Sequence, residues 1–390
     1  MKNLALTYDG ISIELVATDE QLSQIINKLL KADVLALDLE FDQNRFSYGF
    51  NLCLIQLYDG AGTCYIIDPF NIKDLKPLFS VFENPAIEKI IHHSNNDILL
   101  LDKMGCSIRN VMDTDVAAKL LNYERSSLAT VLKQEFDKEI DKSQQSSNWN
   151  KRPLTEEQLQ YAAIDVIYLH DVRKALLQQL KELDRLAWLQ EENLLLEQLR
   201  YSEPSNPHLK LRNASKLNLY QQYLLKDLYT FRDEMAKQLN KPASFVIAND
   251  ALVELANSPN TDLHEWLNHT KGIHGSLKKP KHETSLKNAL ATAKHKAKEE
   301  NISHDYPSNK YYRPFKTAET EKRKEELTLV QKEIAQTYGE FVTRLIINQN
   351  LITDYSFTGH LNCNKKYATD IVLATARKIG VALPEVQEKE

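Results

Sequence analysis

Two carboxylates lie inside a strongly apolar segment of the N-terminal half. The run over residues 34–41, VLALDLEF, is typical of a buried β-strand. Side chains alternate along a strand, so Asp38 and Glu40 point to the same face. Two like charges this close are costly in an apolar setting unless a cation lies between them, and a divalent metal is the usual solution. Taken alone, the segment Asp38-Leu39-Glu40 also fits a strand that ends in acidic surface residues.

Length and composition set the class of protein. The chain has 390 residues, 42% of them hydrophobic and 26% charged, which predicts a globular protein of two or three domains. No apolar run approaches the roughly 20 residues that a membrane span needs, and the first ten residues lack the apolar core of a signal peptide. We therefore expect a cytoplasmic protein with no membrane partner.

Charge is divided unevenly along the chain. Residues 1–200 carry a balance of −10, whereas residues 201–390 carry +5. This division favours a catalytic N-terminal half and a C-terminal half that binds an anionic ligand. An ordinary solvated surface is the alternative.

Periodicity predicts an α/β fold in the N-terminal half. Strands are predicted over residues 11–16, 52–57, 64–68 and 89–93, with Asp59-Gly60-Ala61-Gly62 as a hairpin turn. Ser94 is predicted to cap a helix that carries Asp97 in its first turn, and Thr155 to open a second helix by a capping box. Beyond residue 216 only helical periodicity is found.

Asp97 and Asp165 complete a set of four carboxylates. Asp165 lies within the apolar helix predicted after Thr155, where an unpaired buried carboxylate costs several kcal/mol unless it binds a metal. Together Asp38, Glu40, Asp97 and Asp165 can hold two divalent cations roughly 4 Å apart, the arrangement used for phosphodiester cleavage. The residues themselves therefore predict a two-metal nuclease.

The N-terminal half resembles the ribonuclease D branch of the DEDD exonucleases. Residues 36–41, 92–97 and 158–166 match its three blocks in order, and the resemblance covers roughly residues 10–200. It implies an α/β RNase H-like exonuclease domain, a mixed sheet flanked by helices. Leu39 stands where Thr is common and Asn148 where Asp is common. Leu39 points away from the carboxylate face, so we expect little effect on catalysis, whereas the loop role of position 148 is put in doubt.

The third block selects a subclass. Related exonucleases place a His five residues before the last Asp, a position that is Gln160 here, whereas Tyr161 stands four residues before Asp165. A tyrosine with an ordinary pKa near 10 is protonated at neutral pH, so Tyr161 is expected to orient the attacking water and not to remove its proton. A half-buried helix tyrosine is the alternative.

Three further residues are candidates for binding substrate. Trp149 can stack on a base and Arg152 can bridge a phosphate, although packing of Trp149 against the fold is the alternative. Gln56, polar within an apolar strand, either touches substrate or satisfies a buried backbone group. His92 and His93 are predicted as strand-end residues that face opposite sides and cannot both reach one site.

The C-terminal part resembles the helicase-and-RNase-D C-terminal domain, abbreviated HRDC. Residues 231–250 carry this likeness clearly and residues 325–355 faintly. A shift of 99 residues aligns the two segments, which predicts a duplicated helical module. The Lys- and His-rich segment 271–298 is predicted as an exposed basic arm. The resemblance implies nucleic-acid-binding modules; a structural pair that closes over the catalytic domain is the alternative.

These inferences combine into one organisation and one activity. We predict an exonuclease domain over residues 1–203, a linker over 204–216, a first HRDC domain over 217–298 and a divergent second one over 299–390. The resemblance implies a 3′–5′ exoribonuclease that uses two divalent metal ions, Mg²⁺ or Mn²⁺, and we expect a monomer. Its expected substrates are tRNA precursors or other structured RNA 3′ ends, and its expected products are nucleoside 5′-monophosphates. The alternatives are a 3′–5′ DNA exonuclease with the same chemistry and a non-catalytic RNA-binding protein.

Overall fold

The computed structural model describes residues 6–307 and 316–383, so the outer ends of the predicted domains at 1–203 and 299–390 lie outside the described residues. Its strands are β1 (Leu6–Tyr8), β2 (Ile11–Val16), β3 (Val34–Gln43), β4 (Phe50–Tyr58), β5 (Thr63–Ile67), β6 (Glu88–Ile91) and β7 (Val111–Asp113). Its helices in the N-terminal half are α1 (Asp19–Leu29), α2 (Lys76–Phe82), α3 (Asn95–Lys103), α4 (Thr114–Leu120), α5 (Leu128–Phe136), α6 (Glu156–Ile167), α7 (Leu169–Glu182) and α8 (Leu186–Glu197).

The C-terminal half is helical, apart from short 3₁₀ turns and one isolated β-bridge. Its helices are α9 (Leu219–Leu239), α10 (Ala243–Val246), α11 (Asn249–Asn257), α12 (Leu263–His269), α13 (Pro280–Glu299), α14 (Ala318–Tyr338), α15 (Glu340–Ile346), α16 (Gln349–Thr358) and α17 (Lys366–Lys378). The two longest, α9 and α14, each have 21 residues and begin 99 residues apart, which matches the sequence shift.

The seven strands form one mixed sheet in the order β1-β2-β5-β4-β3-β6-β7. β3 lies inside the sheet, antiparallel to β4 and parallel to β6. The hairpin predicted around Gly60 joins β4 to β5. The short edge strand β1 was not predicted, since three residues are too few to show a clear alternation. The predicted α/β class, a mixed sheet flanked by helices and followed by a helical region, is confirmed.

Side chains alternate along β3 and so divide between the two faces of the sheet. Leu35, Leu37 and Leu39 point into the apolar core beneath α1, α2 and α3. Asp38 and Glu40 point to the opposite face, which is covered by α6. The same strand therefore anchors the sheet with one face and presents two carboxylates with the other.

The predicted exposed basic arm over residues 271–298 is wrong. Pro280–Glu299 forms α13, which packs against α9 and buries Leu286, Leu290 and Ala293. These apolar residues recur every three to four positions, the period of an amphipathic helix. The density of Lys and His on the solvent face hid this period in the sequence.

The two groups of C-terminal helices pack differently. Helices α9–α13 enclose their own apolar core and contact the N-terminal α/β region through Tyr48, whose hydroxyl donates to Asp233 at 2.6 Å. Helices α14–α17 share one continuous core with the N-terminal α/β region. There Asn122 Oδ1 accepts the N–H groups of Phe341 at 2.7 Å and Val342 at 3.1 Å.

Among the helices of the described residues, none has the length and apolar character that crossing a membrane would require.

Candidate active site

Carboxylates from three elements of the N-terminal half converge in one cavity. Oxygen atoms of Asp38 and Glu40 from β3 and of Asp165 from α6 all lie within 4.8 Å of one another. Asp97, from the first turn of α3, lines the same cavity of about 550 Å³ but lies outside this closest set. The structure thus brings together all four carboxylates that the sequence singled out.

The register of β3 changes directly after the second carboxylate. Glu40 pairs with Leu54 of β4, whereas Phe41 pairs with Leu52, so Cys53 is left as the extra residue of a bulge. Bulges re-aim neighbouring side chains and are frequent next to active sites. Phe41 follows this bulge and lines the cavity.

Helix α6 supplies Tyr161 and Asp165 from one face, four residues apart. The predicted capping box is present: Thr155 Oγ1 accepts the N–H of Gln158, and the Gln158 side chain accepts the N–H of Thr155. Ala162, Ala163 and other apolar residues of α6 are buried against the sheet. Packing and capping together fix the position of Asp165 above β3.

The start of α3 is fixed by a residue that sequence reasoning did not single out. Asp113, at the end of β7, is 1% exposed and accepts the N–H groups of His93 at 3.1 Å and Ser94 at 2.8 Å. Ser94 Oγ also donates to Asp113, at 2.7 Å. The prediction that the Ser94 side chain caps α3 is therefore wrong, because this hydroxyl is turned to Asp113 instead. Asp113 thereby holds the turn from which Asp97 projects.

Burial makes the protonated form of these carboxylates unusually stable. It raises the pKa of Asp38 to about 7 from the ordinary 3.8. Burial also raises the pKa values of Glu40, Asp97 and Asp165 well above their usual range, with the charge of Asp38 adding to each effect. Carboxylate oxygens in this number are ligands that divalent cations of the Mg²⁺ and Mn²⁺ type prefer, so the residues present fit such ions.

Tyr161 lines the cavity beside these carboxylates. Burial and the charges of Asp165 and Glu40 raise its pKa above the ordinary value of 10, so the phenol stays protonated at neutral pH. Trp149 packs against it, with ring centroids 6.1 Å apart. Tyr161 can therefore donate a hydrogen bond in the cavity but cannot serve there as a base.

The three predicted substrate-binding residues do not line the cavity. Trp149 is 4% exposed and Gln56 is fully buried, and Trp149 Nε1 and the Gln56 amide nitrogen and oxygen lack hydrogen-bond partners within the described residues. Arg152 pairs with Asp68 and donates to the carbonyl oxygen of Cys53 at 2.9 Å. The same loop does contribute to the cavity, but through Lys142 and Gln145. Substrate binding by the first three residues stays a prediction.

The prediction that His92 and His93 face opposite sides of a strand is wrong. β6 ends at Ile91, and His93 has φ 66°, so both histidines lie on a turn where strand alternation does not apply. Both line the cavity, where His92 Nδ1 lies 2.8 Å from Thr114 Oγ1 and His93 Nδ1 lies 3.2 Å from Asp115.

Comparison with known families divides the chain into two matched regions. A family model described as a 3′-5′ exonuclease matches residues 13–181, which contain all four carboxylates and Tyr161. A second model, described as an HRDC domain, matches residues 221–274, which belong to the helical group α9–α13.

Full-length relatives decide the family. The chain is 36% identical over 247 residues to ribonuclease D of Desulfotalea psychrophila, covering 62% of this chain and 66% of that protein. It is 32% identical over 270 residues to ribonuclease D of a Shewanella species, covering 67% of this chain and 69% of the relative. The chain belongs to the ribonuclease D family. As a member of the ribonuclease D family it carries a 3′–5′ exonuclease domain followed by an HRDC domain.

Solved structures extend the likeness of fold over nearly the whole chain. The crystal structure of Escherichia coli RNase D, described as an exoribonuclease involved in structured RNA processing, has a TM-score of 0.69 at 22% identity and covers 94% of this chain and 98% of its own. A protein from Bifidobacterium adolescentis has a TM-score of 0.77 at 18% identity, covering 96% and 98%. The second helical group, α14–α17, is thus included in the likeness of fold.

Proposed function

We propose that the chain is a 3′–5′ exoribonuclease that hydrolyses phosphodiester bonds at RNA 3′ ends and releases nucleoside 5′-monophosphates. The observation that carries this proposal is the convergence of Asp38, Glu40 and Asp165 within 4.8 Å, in a chain that aligns with ribonuclease D over most of its length. Like charges this close and this buried oppose folding unless cations are bound between them.

Asp38, Glu40, Asp97 and Asp165 would hold two divalent cations. When bound, such cations activate the attacking water and stabilise the leaving oxygen of the displaced strand. The carboxylates on β3 and α6 are held by packed elements, so little reorganisation is needed when the cations bind. Mg²⁺ and Mn²⁺ both suit an all-oxygen set of this kind.

Tyr161 would orient the reacting groups. Its protonated hydroxyl donates a hydrogen bond to the attacking water or to the scissile phosphate, while Asp165 lies one helical turn away on the same face. Trp149 is buried against Tyr161 and limits the movement of its ring. The proposed role of Trp149 is thus to position Tyr161.

RNA is the proposed substrate, with tRNA precursors or other structured 3′ ends as the class that reaches the cavity in a cytoplasmic, monomeric enzyme. The likeness to ribonuclease D, the matched HRDC region and the positive balance of the C-terminal half support this choice. The division into residues 1–203, 204–216, 217–298 and 299–390 is part of the same proposal.

Degradation of matched oligomers tests the proposal. Single-stranded RNA and DNA of one sequence, labelled at the 5′ end, are incubated with Mg²⁺ or Mn²⁺, and products are resolved with time. The proposal expects stepwise shortening from the 3′ end and faster loss of RNA. Faster loss of DNA supports the alternative 3′–5′ DNA exonuclease, and binding without shortening of either strand supports the non-catalytic RNA-binding protein.

A further inference from the structure

A wall of the active-site cavity carries a second set of polar residues, in addition to the four predicted metal ligands. It is built by α4, by the turn before α3 and by the segment between α4 and α5, and its members are His93, Asp115, Lys119 and Ser126, all of which line the cavity. We propose that Lys119 binds the RNA phosphate on the 5′ side of the scissile one. This inference rests on the proposed exoribonuclease activity.

Asp115 holds this set in place. Its carboxylate is 5% exposed and accepts from Lys119 Nζ at 2.5 Å, Ser126 Oγ at 2.5 Å and His93 Nδ1 at 3.2 Å. Although burial disfavours its charged form, the hydrogen bonds from Lys119 and Ser126 hold the pKa of Asp115 below its ordinary value. Asp115 is therefore an anion at neutral pH, and it is a positioning residue for the lysine.

An ion pair within α4 holds Lys119 at the cavity. Lys119 pairs with Asp115, which lies four residues before it in the same helix. Its ammonium group has three donors, of which Asp115 accepts one, and its side chain is 38% exposed. Two donors thus remain for a ligand in the cavity.

The backbone at His93 strengthens the case for a functional wall. A histidine at φ 66° is in the left-handed region, which non-glycine residues seldom adopt. Asp113 holds this conformation by accepting the His93 N–H at 3.1 Å. Such strain persists where the surrounding contacts impose it, and here it places the His93 ring against Asp115 at the cavity.

The chemistry of the substrate decides which phosphate can reach Lys119. The 3′-terminal nucleotide is joined to the strand by the scissile phosphate alone, and that phosphate must lie at the carboxylates. Any other backbone phosphate in the cavity therefore belongs to the strand on the 5′ side. The cavity, about 550 Å³, is within the size range of pockets that bury whole small molecules, and a phosphodiester in it needs a cation as partner.

Neutral linkages at single positions test this assignment. RNA oligomers carry one uncharged methylphosphonate at the linkage on the 5′ side of the scissile one, and kcat/KM for release of the first nucleotide is compared with that for unmodified RNA. For the wild-type protein, kcat/KM should be about tenfold lower on RNA with the neutral linkage than on unmodified RNA, the effect of one charged hydrogen bond. For Lys119→Met, kcat/KM on unmodified RNA should be about tenfold below that of the wild-type protein, and the neutral linkage should lower it little further.

Three variants serve as controls. Lys119→Arg keeps the charge and should keep the preference for the charged linkage. Asp115→Asn should weaken that preference, because the ammonium is no longer held by an anion. Lys133→Met removes an exposed lysine of α5 that pairs with Asp137 and Glu139 outside the cavity, and should behave as wild type.

The outcomes separate this inference from the proposed function. If the neutral linkage lowers kcat/KM of Lys119→Met as much as that of the wild-type protein, the phosphate site is refuted. The same holds if the wild-type protein has equal kcat/KM on both linkages. In either case the proposed exoribonuclease activity is unaffected. If the wild-type protein fails to shorten unmodified RNA at all, the proposed function itself is refuted.

Discussion

Asp38 of β3 and Asp165 of α6 both line the active-site cavity, with carboxylate oxygens within 4.8 Å of each other. The charge of Asp38 raises the pKa of Asp165 beyond what burial alone does. Two carboxylates that repel each other therefore lie on elements that are otherwise packed with apolar side chains. That arrangement is useful only to a ligand of opposite charge, and it is the basis for the predictions below.

Stability of the metal-free protein should depend on pH in a defined direction. Asp38 has a pKa of about 7 in the folded protein and an ordinary value of 3.8 when exposed, so the folded state binds more protons between about pH 4 and 7. The free energy of unfolding should therefore fall as pH rises through this window. Urea unfolding in EDTA measures the slope, which Asp38→Asn should reduce and saturating Mg²⁺ should oppose. An unchanged slope in Asp38→Asn would contradict the assignment.

Removing the Tyr161 hydroxyl should slow turnover without weakening RNA binding. Tyr161→Phe is expected to lower kcat by about 10²- to 10⁴-fold, the range for loss of a group that positions water or transfers a proton. Single-turnover rates and the Kd for RNA are measured together. Tyr306→Phe, at an exposed position, is the matched control and should leave both unchanged. A loss of less than threefold in Tyr161→Phe removes this residue from the mechanism.

Asp113 should contribute strongly to the stability of the fold, because its buried carboxylate accepts several backbone N–H groups. Asp113→Ala leaves the N–H groups of His93, Ser94 and Asp115 without their acceptor, so we expect a loss of about 3 kcal/mol or more in the free energy of unfolding. Equilibrium urea unfolding measures this loss. Asp141→Ala, in an exposed loop, should change stability by less than about 0.5 kcal/mol. Equal effects of the two variants would show that the turn does not depend on Asp113.

Gly339 should be required for docking of helices α14–α17. It has φ 108°, and a methyl group there would overlap the carboxamide of Asn122, which accepts the N–H groups of Phe341 and Val342. In Gly339→Ala these two N–H groups should exchange hydrogen markedly faster. Gly380→Ala is the control, since Gly380 also has positive φ but no atom near the added methyl. Matching exchange in both variants would exclude a steric role for Asn122.

Three of the proposed metal ligands, Asp38, Glu40 and Asp165, could be predicted from local periodicity. Strand alternation places Asp38 beside Glu40, and the apolar helix around Asp165 makes a buried charge conspicuous. Asp113, Asp115 and Lys119 could not be singled out in this way, because their contacts depend on the turn at His93 and on packing between elements distant in sequence. The packing of Trp149 likewise depends on the tertiary fold: an aromatic residue in a polar loop looks exposed, yet the loop folds back and buries it against Tyr161.

Asp165→Asn tests whether the four carboxylates form the site of RNA hydrolysis, because it removes one charge from the set and keeps the shape of the side chain. RNA shortening and RNA affinity are measured side by side in Mg²⁺, with the unfolding midpoint as a check of folding. We expect Asp165→Asn to abolish turnover while RNA binding is largely retained. Unchanged nuclease activity in Asp165→Asn would contradict it.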